Sequence, residues 1–375
     1  MRIAYDATSI PRLMAGAGVY TDNLLRALAR VDGDNEYVVF ARTNAFDALQ
    51  RERPRLRVVH VGARSRAMRL VWEQLVLPAQ LRAQAIDVVH SPHHTSPLLN
   101  VGGRRVVTFH DITFFILPER YPRRRRYYFR AVSWASVKAA SLLICPSLAV
   151  RDDIVRILHA PPDKVRPIAE AAAPAFRVLD DPSPVERLRR KYLLPDRFIL
   201  SVGSLEPGKN RTTLLNAFAE LRRRGVEHNL VVVGQRAWKY GADFHLAEEL
   251  GLKGQVVFTG YVPPEEMPAL YNAAEAFAFP SLYEGFGLPV LEAMACGVPV
   301  VTSNVSSLPE VAGDAALLTD PRDSTALCDA LERILKDDSL RAELRRRGLE
   351  RAATFSWEKA ARQTIGVYEE ALARG

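Results

Sequence analysis

The chain has 375 residues, 48% hydrophobic and 25% charged, ordinary values for a folded globular protein; that length predicts two domains and excludes a single small module, a disordered chain and a collagen-like one. The net charge of +8 is unevenly spread: residues 1–180 carry 27 basic and 16 acidic side chains, net +11, and the remainder carries 24 and 27, net −3. The asymmetry points to an anionic partner for the first half, such as a membrane surface, a polyanion or a phosphorylated substrate.

Short β-branched runs alternate with longer amphipathic stretches, first at 3–6, 37–40, 57–61, 86–90, 105–109 and 142–145, then again at 198–202, 230–233, 256–258, 276–279 and 298–302. Such alternation is the mark of βαβ units and a parallel sheet. Between the two series, 171–184 holds Pro174, Pro182 and Pro184 with paired Asp180 and Asp181, a segment that predicts an interdomain linker. The expected fold is therefore α/β, with two Rossmann-like doubly wound parallel-sheet domains facing across a cleft. The expected bounds are a first Rossmann-like domain over 1–173 and a second over 174–355. A last helix follows over 356–375, with Ser356 as N-cap, packing back towards the first domain.

Cys145, Cys296 and Cys328 have neither disulfide-framework nor metal-ligand spacing, which predicts a reducing compartment. Met1 to Asp6 runs into a strand with no apolar signal core, and no stretch reaches 18 apolar residues. A cytoplasmic protein is expected, peripheral at most on the inner face of the plasma membrane.

In open α/β sheets ligands collect beyond the carboxyl ends of strands, and the most specific segment lies there. After the strand at 276–279 the chain reads Pro280-Ser281-Leu282-Tyr283-Glu284-Gly285-Phe286-Gly287-Leu288-Pro289-Val290-Leu291-Glu292-Ala293-Met294-Ala295-Cys296-Gly297. Pro289 suits a first helical turn and Gly297 a C-terminal cap. The amides of Gly285, Phe286, Gly287 and Leu288 are then donors at a helix N-terminus, where a phosphate is favoured. Glu284 before the turn is placed to accept from sugar hydroxyls, and Glu292 within the helix to accept from both hydroxyls of a ribose. A nucleoside diphosphate sugar satisfies all three elements.

About 20 residues of this segment resemble the motif of the retaining glycosyltransferases of family 4, which have the two-Rossmann GT-B architecture. The resemblance covers most of the chain, strongly over 195–320 and weakly over 40–100. It implies that Lys209, in Gly203-Ser204-Leu205-Glu206-Pro207-Gly208-Lys209-Asn210, holds the donor's diphosphate. Ser204 and Gly208 stand where many relatives carry basic residues, which leaves that charge to Lys209, helped by Arg211. It also implies that His110, in Thr108-Phe109-His110-Asp111, contacts the transferred sugar, and that Gly16 and Gly18, in a loop before a helix at 21–30, lie near the donor phosphate and the acceptor. It further implies that backbone groups near Val262, in Thr259-Gly260-Tyr261-Val262-Pro263, hold the base. His90, His93 and His94 read as a solvent-facing loop or part of an acceptor groove, and with nearby carboxylates His93 and His94 could ligate a metal; the resemblance instead implies a metal-independent enzyme with no cofactor. No third glycine completes a dinucleotide fingerprint at Gly16 and Gly18, and no P-loop is present.

Arg123, Arg124, Arg125 and Arg126, interleaved with Tyr127, Tyr128 and Phe129 and followed by Arg130, open an expected helix suited to an anionic membrane surface or the acceptor. Arg123, Arg126 and Arg130 share a face by helical spacing; the alternative is a solvated, salt-bridged surface. No nucleic-acid-binding module is recognisable. The sequence thus predicts transfer of a hexose with retention to a saccharide or lipid-linked saccharide in surface polysaccharide or glycolipid synthesis. Leu205-Glu206-Pro207, His110-Asp111 and the segment at 312–316 resemble the mannosyltransferase branch, hence GDP-mannose, with UDP-glucose close behind. A sugar-nucleotide epimerase of the same architecture and a non-catalytic polyanion-binding protein are the alternatives.

Overall fold

The β-branched runs of the first half form β1 (Arg2–Asp6), β2 (Glu36–Ala41), β3 (Leu56–His60), β4 (Val88–Ser91), β5 (Arg104–Thr108), β6 (Leu142–Cys145) and β7 (Val165–Pro167) in the computed structural model, which describes residues 1–10, 16–235 and 241–374. All pair in parallel, in the order β3-β2-β1-β4-β5-β6-β7. The second half forms β8 (Phe198–Val202), β9 (Asn229–Val233), β10 (Val256–Gly260), β11 (Ala276–Phe279), β12 (Val300–Ser303) and β13 (Ala316–Thr319), again parallel, in the order β10-β9-β8-β11-β12-β13. Helices cover both faces of such sheets, which is why β6 and β11 are buried at every position and read as continuous apolar runs.

Strand order reverses between β1 and β4 in one sheet and between β8 and β11 in the other. A doubly wound sheet opens a crevice at that reversal, so the loops after these four strands are where a ligand has room. Met1–Glu170 and Ser356–Gly375 make one compact unit and Ala171–Phe355 the other.

The first unit is completed by the helix Trp357–Ala373. Its Ser356 cap accepts from Lys359 N at 3.1 Å. Trp357 and Tyr368 are buried, and the Tyr368 hydroxyl lies 2.7 Å from His90 Nδ1. Ion pairs Arg30–Glu358 at 2.8 Å and Arg374–Asp163 at 3.0 Å fix its two ends.

Three local readings are corrected. β7 and β13 were not expected; both are edge strands of three or four residues, and Pro167 is tolerated in β7 because an edge needs no second ladder. The glycine segment before the first helix is shorter than its composition suggests. The helix runs Ala17–Val31 from an N-cap at Gly16 (φ 49°), so Gly18 is buried in its first turn rather than in a loop. His90 and His93 are buried, not part of a solvent-facing loop.

Candidate active site

In the second unit the loop after β8 and the loop after β9 approach very closely. A Cβ on Gly234 would sit 1.9 Å from Gly203 O, so only glycine permits the approach. The chain then makes a short turn through Pro207–Lys209 and enters the helix Arg211–Arg223 through Asn210, which adopts a left-handed conformation (φ 54°). Asn210 Nδ2 donates to the carbonyls of Pro280 and Pro321, and Leu282 N donates to Gly208 O at 3.0 Å. These bonds tie the loop after β8 to the loop after β11, the two sides of the switch point.

Lys209 Nζ consequently lies 2.5 Å from Glu284 Oε1 and 5.1 Å from the Phe279 ring centre, with both charged side chains largely buried. Glu284 is held from behind: its amide donates to Ser306 Oγ at 3.0 Å, and Ser307 Oγ donates to the carbonyls of Glu284 (3.0 Å) and Phe286 (2.6 Å). Phe286 is buried with its ring edge against Phe355. Gly287 caps the helix Leu288–Ala295 at φ 115°, where a Cβ would meet Leu308 at 2.8 Å, so both backbone and space demand glycine. One turn on, Glu292 Oε2 accepts from the Tyr271 hydroxyl at 2.8 Å. Burial pushes the Glu292 carboxyl up to about 7 in spite of that bond. Val262 is buried beside the end of β10.

The fold therefore gathers Lys209, Glu284, the Gly285-to-Leu288 turn and Glu292 along one stretch of the second sheet's carboxyl edge. Arg211 is not a free helper of Lys209. It is 2% exposed, and its guanidinium donates to the carbonyls of Gly203 and Ser204, bracing the loop from inside. Ser204 contributes a backbone carbonyl to that brace. Asn210, Ser306 and Ser307 are positioning residues that sequence reasoning passed over; a polar residue directly after Gly-Lys and a Ser-Ser pair after a strand were their only signals.

In the first unit His110 follows β5. Its Nδ1 is 3.3 Å from Glu170 Oε1 and its Nε2 is 3.0 Å from Pro92 O, while the Tyr20 ring meets it edge-on at 4.6 Å. Burial alone would lower its pKa, but Glu170 and the Pro92 carbonyl outweigh that and hold the imidazole above its ordinary value. Gly16 and Gly18 sit at the start of the helix that supplies Tyr20.

Asp6, Glu73 and His93 form a second buried group, close enough to share a cation. The positive charge there is already supplied: Arg69 donates to Glu73 at 2.6 Å and lies 3.2 Å from His93 Nε2. The geometry fits an internal ion cluster better than a metal centre.

The arginine run opens the helix Arg123–Ala139. Arg123, Arg124 and Arg125 are exposed, with Tyr127 at 61% and Trp134 at 49% exposure. Arg130 keeps the helical face of Arg123, but its side chain is only partly exposed. Its guanidinium donates to the carbonyls of Phe114 (3.1 Å) and Phe115 (3.4 Å) and stacks on Phe115.

Residues 14–171 match the family described as Glycosyltransferase Family 4, and residues 185–351 match Glycosyl transferases group 1. The chain is 40% identical over 268 residues to the O-antigen chain mannosyltransferase B of Escherichia coli, covering 71% of this chain and 70% of that one. The chain belongs to glycosyltransferase family 4. This family 4 glycosyltransferase is also 33% identical to the serotype-specific mannosyltransferase WbdA of Escherichia coli over 74% of its own length and 35% of WbdA. Its fold matches that of Anabaena HepE in complex with UDP and glucose, with a TM-score of 0.77 and 20% identity over 99% of this chain and all of that one.

Proposed function

We propose that this glycosyltransferase moves mannose from GDP-mannose, with retention of anomeric configuration, to a saccharide or lipid-linked saccharide during surface-polysaccharide synthesis. The observation that carries the reading is the largely buried Lys209–Glu284 pair beside the Gly285-to-Leu288 turn at a topological switch point. A lysine held ready by a carboxylate is exchangeable: when a diphosphate arrives, the ammonium turns to its oxygens and Glu284 is released to accept from the sugar's hydroxyls. Forty per cent identity to an O-antigen mannosyltransferase supports the choice of sugar and of product class.

As the bond to the sugar breaks, negative charge grows on the leaving diphosphate and the sugar becomes oxocarbenium-like. Lys209 and the amides of the turn oppose that charge with fixed dipoles and one cation, the term that usually contributes most to such catalysis. This removes the need for a metal. In this reading His110 and Glu284 orient the sugar, Glu292 takes the ribose hydroxyls, backbone near Val262 takes the base, and Gly16 and Gly18 leave room for phosphate and acceptor. Attack from the face the diphosphate leaves, with the phosphate as base, accounts for retention without a covalent intermediate.

The acceptor side is read from the first unit. Arginines in the first turn of the helix Arg123–Ala139 oppose the helix dipole, with no acidic residue there to offset them. A helix that carries this cost is suited to an anionic lipid surface or a lipid-linked acceptor.

Incubation with a panel of sugar nucleotides, with and without a chelator, tests the reading. GDP release with transfer to a mannose-containing acceptor, insensitive to chelator, is expected. Lys209→Ala and Glu284→Ala should each lower kcat/KM at least 100-fold, about 2.7 kcal/mol; retention of activity to within about threefold in either, roughly 0.7 kcal/mol, overturns the site. An intact but altered sugar nucleotide would instead identify an epimerase.

A further inference from the structure

His110 has an acceptor at each end of its ring: the Glu170 carboxylate at Nδ1 and the Pro92 carbonyl at Nε2. A neutral imidazole carries one N–H and must turn a lone pair towards the other acceptor, whereas an imidazolium satisfies both. The two partners differ in reach. The His110 side chain is 19% exposed, but Glu170 only 6%, so a substrate can touch the histidine and not the carboxylate behind it.

Resting on the functional reading above, we infer that Glu170 is a positioning residue of the transfer reaction, holding His110 as an oriented cation that donates Nδ1–H to Glu170 and Nε2–H to the Pro92 carbonyl. Glu170 lies three residues beyond β7, where the first unit's chain gives way to the second. Tying the histidine to this point fixes the ring against a segment far from it in sequence. Tyr20 closes the remaining side with its ring edge.

Among the described residues, the groups that face His110 are few. Asp111 is its chain neighbour and adds to the effect of Glu170. His90 and His94 lie close enough to interact with it, but burial holds each at about 3, so both stay neutral. Tyr20, buried, stays protonated. Glu170 is therefore the main charge that can keep the ring protonated, against a burial effect of opposite sign.

The sign of the pH effect follows. His110 is charged below its raised folded pKa and loses the proton as pH rises through it, so activity that needs the cation falls on the alkaline side. Removing the carboxylate leaves burial to dominate and moves that fall to lower pH. We expect kcat profiles between about pH 5 and 9 to show the alkaline limb of Glu170→Gln displaced acidward, with a loss of about tenfold or more at the alkaline end that shrinks to about threefold or less at the acid end. Glu170→Asp should restore part of the displacement. A limb that does not move, or a loss equal at every pH, overturns the inference in favour of a merely structural role.

Should Glu170→Gln not fold, the wild-type enzyme decides: the His110 Cε1–H resonance, assigned by its loss in His110→Gln, is expected to titrate above 6.5, and titration below that value overturns the proposal. His110→Gln also separates the two readings. If it transfers at the wild-type rate, the site assignment fails and this inference with it; if it is inactive while the Glu170→Gln limb stays in place, this inference alone fails.

Discussion

Glu292 sits where two demands conflict. Its carboxyl is enclosed with the Tyr271 hydroxyl as donor, and burial raises it from 4.5 to about 7. The folded chain thus holds this proton to higher pH than the unfolded chain does, so stability falls as pH rises from about 4.5 to about 7. Glu292→Gln should remove that part of the slope and raise the Tm at pH 8, while weakening donor binding about tenfold, roughly 1.4 kcal/mol. Thermal melts across pH and a donor titration check both; a Tm at pH 8 that falls would show that the charged carboxylate was stabilising. The sequence marks Glu292 as a ribose ligand by position alone and says nothing of Tyr271, which is 21 residues away. It does not show that the guanidiniums of Arg211 and Arg130 are taken up by backbone carbonyls, because an arginine that braces a loop is spelled the same as one in solvent.

At the scale of elements, the loop after β8 works as a bracket for Lys209. Asn210 performs two tasks there, a left-handed backbone turn and side-chain bonds to the carbonyls of Pro280 and Pro321. Replacing it by glycine keeps the first task and loses the second; replacing it by alanine loses both. Asn210→Ala should therefore cost ~2–4 kcal/mol in the second unit's unfolding transition and Asn210→Gly about 1–2 kcal/mol less. Urea unfolding checks this, and equal losses would mean the backbone conformation carries no cost. Most strands were legible because apolar runs such as Leu142–Cys145 and Ala276–Phe279 are buried on both faces. β7 was not, since Val165–Pro167 is three residues with an arginine and a proline, and β13, though as long as β11, is buried only at Ala316 and Thr319. The helix start at Ala17 was hidden by glycines, which suggest a loop whether or not their amides are taken into a turn.

At the scale of the whole molecule, the charge division separates two kinds of surface. No helix among the described residues is long and apolar enough to cross a membrane, so contact of the first unit with lipid would rest on surface charge and aromatic rings. Neutralising Arg123, Arg124 and Arg125 together should reduce co-sedimentation with anionic liposomes at physiological salt by at least about tenfold, each arginine near the surface contributing about 1 kcal/mol. Binding unchanged by the triple substitution would leave the run as a solvated face. The two-sheet organisation was readable from alternation alone; the pairing of His110 with Glu170 was not, because it joins positions 60 residues apart that no local pattern links.

The return of Trp357–Ala373 to the first unit has a consequence for synthesis. His90 bonds through Nδ1 to Tyr368, and Tyr20 lies edge-on to Trp357. A ribosome finishes the second unit before it releases the residues that complete the first. The lobe translated before the second unit is therefore sealed after it, and until then its nascent interior lacks the wall that Trp357–Ala373 provides.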